Sequence, residues 1–88
     1  MMSDFSRFQE AQKLLDDPIR RKALEVLRRE SSASGWSIAK RMDEDPQAVG
    51  KALNDLRIGG LIDSDGSGLE GFYFLTGFAF QLMSSTAS

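Results

Sequence analysis

The side chains best suited to chemistry lie along residues 46–58, where polar and small residues recur on one side of a helical pattern. The outward positions are Gln47, Ala48, Gly50, Lys51, Asn54, Asp55 and Arg57. Amide side chains pair bidentately with adenine, and Lys or Arg pairs with guanine or phosphate. The small residues permit close approach to a groove floor or to a thymine methyl. This face suits hydrogen bonding to base edges, and the alternative is an ordinary solvated helix face.

The opposite face of the same segment is aliphatic and supplies the means of holding it in place. Val49, Leu53 and Leu56 recur at the spacing of a buried helical stripe. Asp45 is a suitable N-cap before Pro46 at the first helical position, and the glycine pair that follows the segment stops the helix. We therefore expect a rigid helix that shows its polar side outward.

The absence of cysteine and histidine excludes several kinds of site. Without thiolates or imidazoles, the chain has no disulfides, no nitrogen or sulfur metal ligands of the usual kind, and no usual pair of nucleophile and general base. The sequence shows no paired-carboxylate cleft either. We therefore expect neither an enzyme nor a site for a metal or another cofactor.

Residues 66–71 match the dinucleotide-binding string G-x-G-x-x-G, but their context does not fit it. That fingerprint needs a preceding strand and a following helix whose N–H groups hold pyrophosphate. Residues 72–75 follow instead, and their sequence Phe-Tyr-Phe-Leu is typical of a strand. We interpret the glycines as part of a hairpin turn.

Two helices are predicted ahead of the central segment. Ser3 is a suitable N-cap for a helix over 3–15, in which apolar residues recur at helical spacing. Asp17 and Pro18 then provide the cap and the first position of a second helix, which we place over 18–30. Both helices present an apolar stripe with which to build a core.

A helix-turn-helix is predicted over 37–58. The small, polar stretch 31–35 is typical of a connection, with room for a very short strand reaching Trp36, and Ser37 is a suitable cap for the short helix that follows. Asp43 falls in the turn, where a left-handed backbone is often needed and Asp tolerates it. Two short helices joined by a tight turn are the arrangement that presents a helix to the major groove of DNA.

The helical spacing of apolar residues ends after this unit. A two-stranded hairpin is therefore predicted over 61–75. A last helix is expected over 77–83, followed by a flexible tail at 84–88. The chain is short, so we expect one domain over 1–83. The fold class is mainly α with a small β-hairpin (α+β): a winged helix-turn-helix with a three-helix core, a wing, and extra N- and C-terminal helices.

The sequence resembles the ArsR-type winged-helix regulators over residues 15–76, and MarR-type and related families share much of the same pattern. The stretches that carry the resemblance are Asp-Pro-Ile-Arg-Arg at 17–21, Ala-Val-Gly-Lys-Ala-Leu-Asn-Asp-Leu at 48–56, Gly-Leu-Ile at 60–62 and Tyr-Phe-Leu-Thr at 73–76. They resemble, in order, the start of the second helix, the recognition helix, and the start and end of the wing.

The resemblance implies a homodimer built from the first and last helices, with one recognition helix from each subunit in successive major grooves. Candidate interface residues are Phe5, Phe8, Phe78, Phe80 and Leu82. The alternative is that these side chains complete the core of a single chain. Family members that sense metals use Cys and His, so that role does not carry over to this sequence.

Charge is unevenly distributed along the chain, whose net charge is −2. Residues 18–30 are rich in Lys and Arg, and they either contact phosphates, form a solvated face or pair with the acidic wing of a neighbouring chain. Residues 63–71 carry carboxylates and no Lys or Arg, so we predict that the wing tip either contributes little to DNA binding or stays clear of the backbone. For Trp36 we favour a packing role over base stacking.

Two functions are consistent with these patterns. The first is a cytoplasmic, DNA-binding transcriptional regulator that places helix 46–58 in the major groove of double-stranded DNA. Its candidate DNA-binding residues are Ser37, Gln47, Ala48, Gly50, Lys51, Asn54 and Arg57. The alternative is a winged-helix protein–protein interaction module without DNA binding, which the net acidity favours. No basic leader or run of 18 apolar residues indicates a membrane partner.

Overall fold

The computed structural model describes residues 9–87, with side chains through Met83. Residues 9–14 form the described part of the first helix, α1. The other elements in chain order are α2 (Pro18–Glu30), β1 (Ser32–Ser34), α3 (Gly35–Met42), α4 (Pro46–Ile58), β2 (Ile62–Asp65), β3 (Phe72–Leu75) and α5 (Gly77–Ala87). A short 3-10 turn, Gly68–Glu70, lies between β2 and β3. This order of helices and strands matches the predicted fold class.

The starts of α2 and α4 use the same local device. The Asp17 side chain accepts a hydrogen bond from the backbone N–H of Arg20 at 3.1 Å, and Asp45 accepts one from the N–H of Ala48 at 3.2 Å. A proline follows each cap, and its fixed φ suits the first helical position. Both helices therefore begin where the sequence predicts.

The third helix begins earlier than predicted. Ser34, rather than Ser37, is its N-cap, because Ser34 ends β1 with an extended backbone and its Oγ accepts the N–H of Ser37 at 3.2 Å. The predicted cap is thus the third residue of the helix. Asp43 ends α3 in the left-handed region, with φ 55° and ψ 46°, which confirms the predicted conformation of the turn.

The end of α4 is fixed by the two glycines. The N–H of Gly60 donates to the carbonyl of Arg57, and the N–H of Leu61 donates to that of Leu56, each at 3.0 Å. This is the Schellman pattern of a helix end, and it needs the left-handed φ of 82° that Gly60 adopts. The chain therefore changes direction after α4 and continues into β2.

The wing is a three-stranded antiparallel sheet with the order β1-β3-β2. The sequence predicts the β2–β3 hairpin and allows a very short strand before Trp36, and β1 is that third strand, in which Ala33 pairs with Tyr73. Tyr73 is buried and its hydroxyl donates to the carbonyl of Gly68 at 2.7 Å. Burial raises the pKa of Tyr73 above its ordinary value.

A single cluster of apolar side chains joins the helices to the inner face of the sheet. Its fully buried members include Leu27, Ile38, Val49, Leu53, Leu56, Leu61, Ile62 and Leu82. Leu82 is thus part of the chain's own core, which removes it from the set of exposed interface candidates. Phe5 and Phe8 lie outside the described residues.

The last helix begins at the predicted residue, Gly77, but extends beyond residue 83. Thr76 Oγ1 accepts the N–H of Ala79 at 3.2 Å and donates to the carbonyl of Gly60 at 2.6 Å, which ties α5 to the end of α4. The predicted tail at 84–88 is helical through Ala87. The reason is local, because Ser, Thr and Ala without Gly or Pro do not stop a helix.

Candidate nucleic-acid interface

The polar side of α4 faces outward. Gln47, Lys51, Asn54 and Arg57 are exposed, whereas Val49, Leu53 and Leu56 on the other side are fully buried. Three aliphatic anchors along one helix fix both its position and its rotation, so the exposed side chains occupy a fixed face. The geometry supplies what a helix needs in order to enter a groove: a rigid rod with one open, hydrogen-bonding side.

The hydrogen-bonding groups of this face hold one another in the free chain. Arg57 Nη2 donates to Asn54 Oδ1 at 3.0 Å, and Lys51 Nζ lies 3.4 Å from Asp55 Oδ2. Exposed pairs of this kind contribute little to stability, so they exchange easily for partners on a ligand. The side chains of this face are therefore ordered in the free chain but can still change partners.

Asp55 has a second cationic neighbour that sequence reasoning missed. Arg20 Nε lies 3.7 Å from the same Oδ2 atom, and Arg20 also donates to the carbonyl of Leu14 at 3.1 Å. When Lys51 moves to a ligand, Arg20 still compensates the carboxylate. This pairing joins residues on separate helices, and no local pattern in the sequence indicates it.

Two glycines lie beside Leu69 in the 3-10 turn of the wing. A methyl group at Gly50 would lie 3.9 Å from the Leu69 side chain, which is ordinary van der Waals contact. Gly35 is closer still, because an added Cβ would lie 2.6 Å from Leu69 Cα. Leu69 thus packs against α3 and α4, and Gly50 stays a predicted point of close approach to DNA.

The start of α3 presents two exposed side chains beside the interface. Ser37 is exposed, and its Oγ accepts a hydrogen bond from Ser34 Oγ at 3.1 Å. Trp36 is 54% exposed, so the predicted packing role is wrong. Trp36 is the second residue of α3, and it does not belong to the buried side of that helix, which includes Ile38, Ala39 and Met42.

The basic residues of α2 are largely neutralised within the chain. Arg28 pairs with Glu25, and Lys22 Nζ lies 2.9 Å from Glu44 Oε2. The hydrogen bond from Arg28 holds the pKa of Glu25 below its usual value. The pair with Lys22 also explains why a carboxylate is tolerated in the turn before α4.

The wing tip is acidic and exposed. Asp63, Asp65 and Glu70 all lie at the surface, and none forms an ion pair within residues 9–83. Phosphates would repel these carboxylates, so the wing adds no electrostatic attraction to DNA. Electrostatic attraction to DNA must therefore come from cations outside the wing, among which Lys51 and Arg57 lie on the α4 face.

The described part of the chain has the features of neither a metal site nor a membrane span. It contains no cluster of three or more acidic, Cys or His side chains with the geometry of a metal site. No helix there is both long enough and apolar enough to cross a membrane.

Solved structures with the same architecture are regulators in several cases. An ArsR-like transcriptional regulator from Rhodococcus sp. RHA1 is 28% identical, with a TM-score of 0.77, over 96% of this chain and 78% of that one. A mutant of ZitR from Lactococcus lactis is 26% identical, with a TM-score of 0.68, over 90% of this chain and 60% of that one.

A third likeness shows the fold alone. The YusO protein of Bacillus subtilis is 22% identical, with a TM-score of 0.72, over 98% of this chain and 69% of that one. No protein-family model matches the sequence, and no curated protein matches it significantly. The structural likenesses confirm the predicted winged-helix fold of the ArsR type.

Proposed function

We propose that this chain, an ArsR-type winged helix, is a DNA-binding transcriptional regulator that reads duplex DNA with α4. The observation that carries the proposal is the open polar face of α4, anchored from beneath by Val49, Leu53 and Leu56. The same fold in a Rhodococcus transcriptional regulator supports it. An interaction module that does not bind DNA would have no need for this face.

In the proposed complex, α4 lies in the major groove. Gln47 and Asn54 have the amide chemistry to pair with adenine, and Lys51 and Arg57 have that to pair with guanine or phosphate. Arg57 and Asn54 exchange their mutual hydrogen bond for contacts with DNA. Ser37, exposed at the start of α3, is proposed to contact a phosphate.

We also propose that the regulator is a homodimer. A dimer would place two α4 helices about 34 Å apart, in successive major grooves. Phe80 on α5 is 54% exposed, so it does not complete the core of one chain. Phe78, two residues earlier on the same helix, is half-buried. Both are proposed to meet the partner, and Phe5 and Phe8 keep the same proposed role from the sequence.

No catalytic role is proposed for this chain, since its sequence lacks the side chains of the usual nucleophile and general-base pairs. A regulator of this kind works where the DNA is, and we propose a cytoplasmic location. The DNA, rather than a cofactor, is the proposed ligand of α4.

Binding to a random-sequence duplex across a salt series tests the proposal. Contact with phosphates predicts that the logarithm of the binding constant falls linearly with the logarithm of the salt concentration. A matched measurement with heparin distinguishes groove binding from simple attraction to a polyanion. Absence of binding to any duplex at low salt would leave only the interaction module.

A further inference from the structure

The outer face of the sheet carries the same three residue types twice. In the β3 register, Phe74 lies between Ser32 of β1 and Asp63 of β2, and two residues along it Phe72 lies between Ser34 and Asp65. Cross-strand neighbours share a face, with Cβ atoms about 4.5–5.5 Å apart. These six residues are called the outer sheet face.

The two phenylalanines of the outer sheet face are open to solvent. Phe72 is 53% exposed and Phe74 is 39% exposed, although their neighbour Tyr73 is buried on the inner side of the sheet. Phenylalanine at two successive outward positions is not needed for a strand that is already paired on both edges. Their exposure suggests contact with a partner.

The charges beside them show which partner chemistry fits. Asp63 and Asp65 form no ion pair within residues 9–83, and the only hydrogen bond to either side chain there is from the Ser64 N–H to Asp63 Oδ1 at 2.8 Å. DNA is excluded because its phosphates would meet these carboxylates. A complementary surface must supply cations.

A second copy of the chain does not supply those cations well. On its α2, Arg28 and Arg29 share Glu25 and Lys22 pairs with Glu44, so that Arg21 alone could meet one of the two carboxylates without giving up a partner among the described residues. A contact between the outer sheet face and α2 of the next copy would also be head-to-tail, which tends to form open chains of molecules. The cations are therefore expected on a different protein.

We propose that the outer sheet face docks a basic, apolar segment of a partner protein. Its two Asp–Phe rungs are about 6.6–6.8 Å apart along the strands. Two Arg or Lys side chains four apart on a helix are about 6 Å apart along its axis, which matches this spacing. Each cation pairs with one carboxylate and lies over one phenyl ring, where a cation–π contact is favourable.

The test begins with a random peptide display library selected on the immobilised full chain. Counter-selection uses the double variant Phe72→Thr/Phe74→Thr, in which a strand-forming residue replaces each ring. Peptides that survive should be rich in Arg or Lys and in apolar residues. An empty pool, or a pool without cationic residues, overturns the proposal.

A labelled peptide from that pool then measures the role of charge by fluorescence polarisation. Asp63→Asn and Asp65→Asn should each weaken binding about two- to fivefold, as expected for an exposed ion pair. Asp16→Asn removes an exposed carboxylate elsewhere and should leave the affinity unchanged. Equal binding to wild type and to both sheet variants overturns the proposal, provided that thermal unfolding shows all variants folded.

Two further outcomes are distinguishable. If sedimentation shows self-association that Phe72→Thr/Phe74→Thr abolishes, the outer sheet face is occupied by a second copy and the proposal is wrong. The inference goes beyond DNA binding and does not rest on it. A chain that binds the peptide but no duplex would contradict the proposed function and leave the docking surface standing.

Discussion

Asp55 is a carboxylate beside the proposed DNA-reading side chains, and its charge affects how freely Lys51 can move to DNA. It lies 3.4 Å from Lys51 Nζ and 3.7 Å from Arg20 Nε. Without Arg20, movement of Lys51 to DNA would leave the carboxylate uncompensated next to phosphates. We therefore assign Arg20 a positioning role, acting through Asp55 rather than by touching DNA.

Arg20→Gln should weaken DNA binding at low salt by about two- to fivefold, the range expected from one exposed ion pair. The double variant Arg20→Gln/Asp55→Asn should recover most of the loss, because the uncompensated charge is gone. Fluorescence anisotropy with a labelled duplex measures both variants. A double variant as weak as the single one would show that Arg20 acts in some other way.

The start of α3 and the middle of α4 each carry a glycine against Leu69, but the two have different room. An added methyl at Gly35 would collide with the Leu69 backbone at 2.6 Å, whereas one at Gly50 would meet only the Leu69 side chain at 3.9 Å. The wing thus packs on the helix-turn-helix through Leu69. This contact has room for an added methyl group at Gly50 but not at Gly35.

The matched variants Gly35→Ala and Gly50→Ala should therefore change stability in opposite directions. Gly50→Ala should raise the free energy of unfolding by up to about 1 kcal/mol, since alanine favours the helix. Gly35→Ala should lower it by about 1–3 kcal/mol, since the backbone must shift. Urea unfolding followed by circular dichroism measures both. Destabilisation by Gly50→Ala would contradict the described position of Leu69.

The acidic wing predicts the effect of reversing its charge. Asp65→Lys/Glu70→Lys should raise affinity for a random duplex at low salt. It should also steepen the slope of the logarithm of the binding constant against the logarithm of the salt concentration, by the amount expected for about one to two added phosphate contacts. The control Glu10→Lys/Asp16→Lys changes the net charge equally, but on and just beyond α1. Equal affinity for wild type and the wing variant at low salt would contradict the electrostatic account of the acidic wing.

For the whole chain, the sequence predicts the parts that depend on neighbours along it. The caps at Asp17 and Asp45, the turn at Asp43 and the stop after α4 are all found, because each rests on residues within one helical turn. The buried stripe of α4 is found for the same reason, because the spacing of Val49, Leu53 and Leu56 follows the 3.6-residue period of a helix.

What sequence reasoning misses depends on distant parts of the chain meeting. The sequence allows a short strand at β1, but its pairing with β3, about 40 residues later, is not predicted by any local pattern in Ser-Ala-Ser. Contacts of Gly50 with Leu69 and of Arg20 with Asp55 are likewise set by packing of separate elements. The position of Trp36 before Ser37 predicts packing, but the buried side of α3 is supplied by other residues and Trp36 is half exposed.

Assembly of two chains is the remaining proposal about the molecule as a whole. Phe80→Glu should convert a dimer to a single chain, because it places a charge at an exposed aromatic residue of the proposed interface. Phe72→Thr, on the outer sheet face, should leave the mass unchanged. Light scattering measures both. A wild-type mass equal to one chain would remove the dimer.

The central claim, that the outward side of α4 reads DNA, is tested most directly with a duplex selected from a random pool. Lys51→Ala and Asn54→Ala should each lose about 1–3 kcal/mol of binding free energy, as expected for a base contact, without lowering the melting temperature. Lys13→Ala, an exposed lysine on α1, is the control and should lose little. Wild-type affinity in both α4 variants would contradict the account.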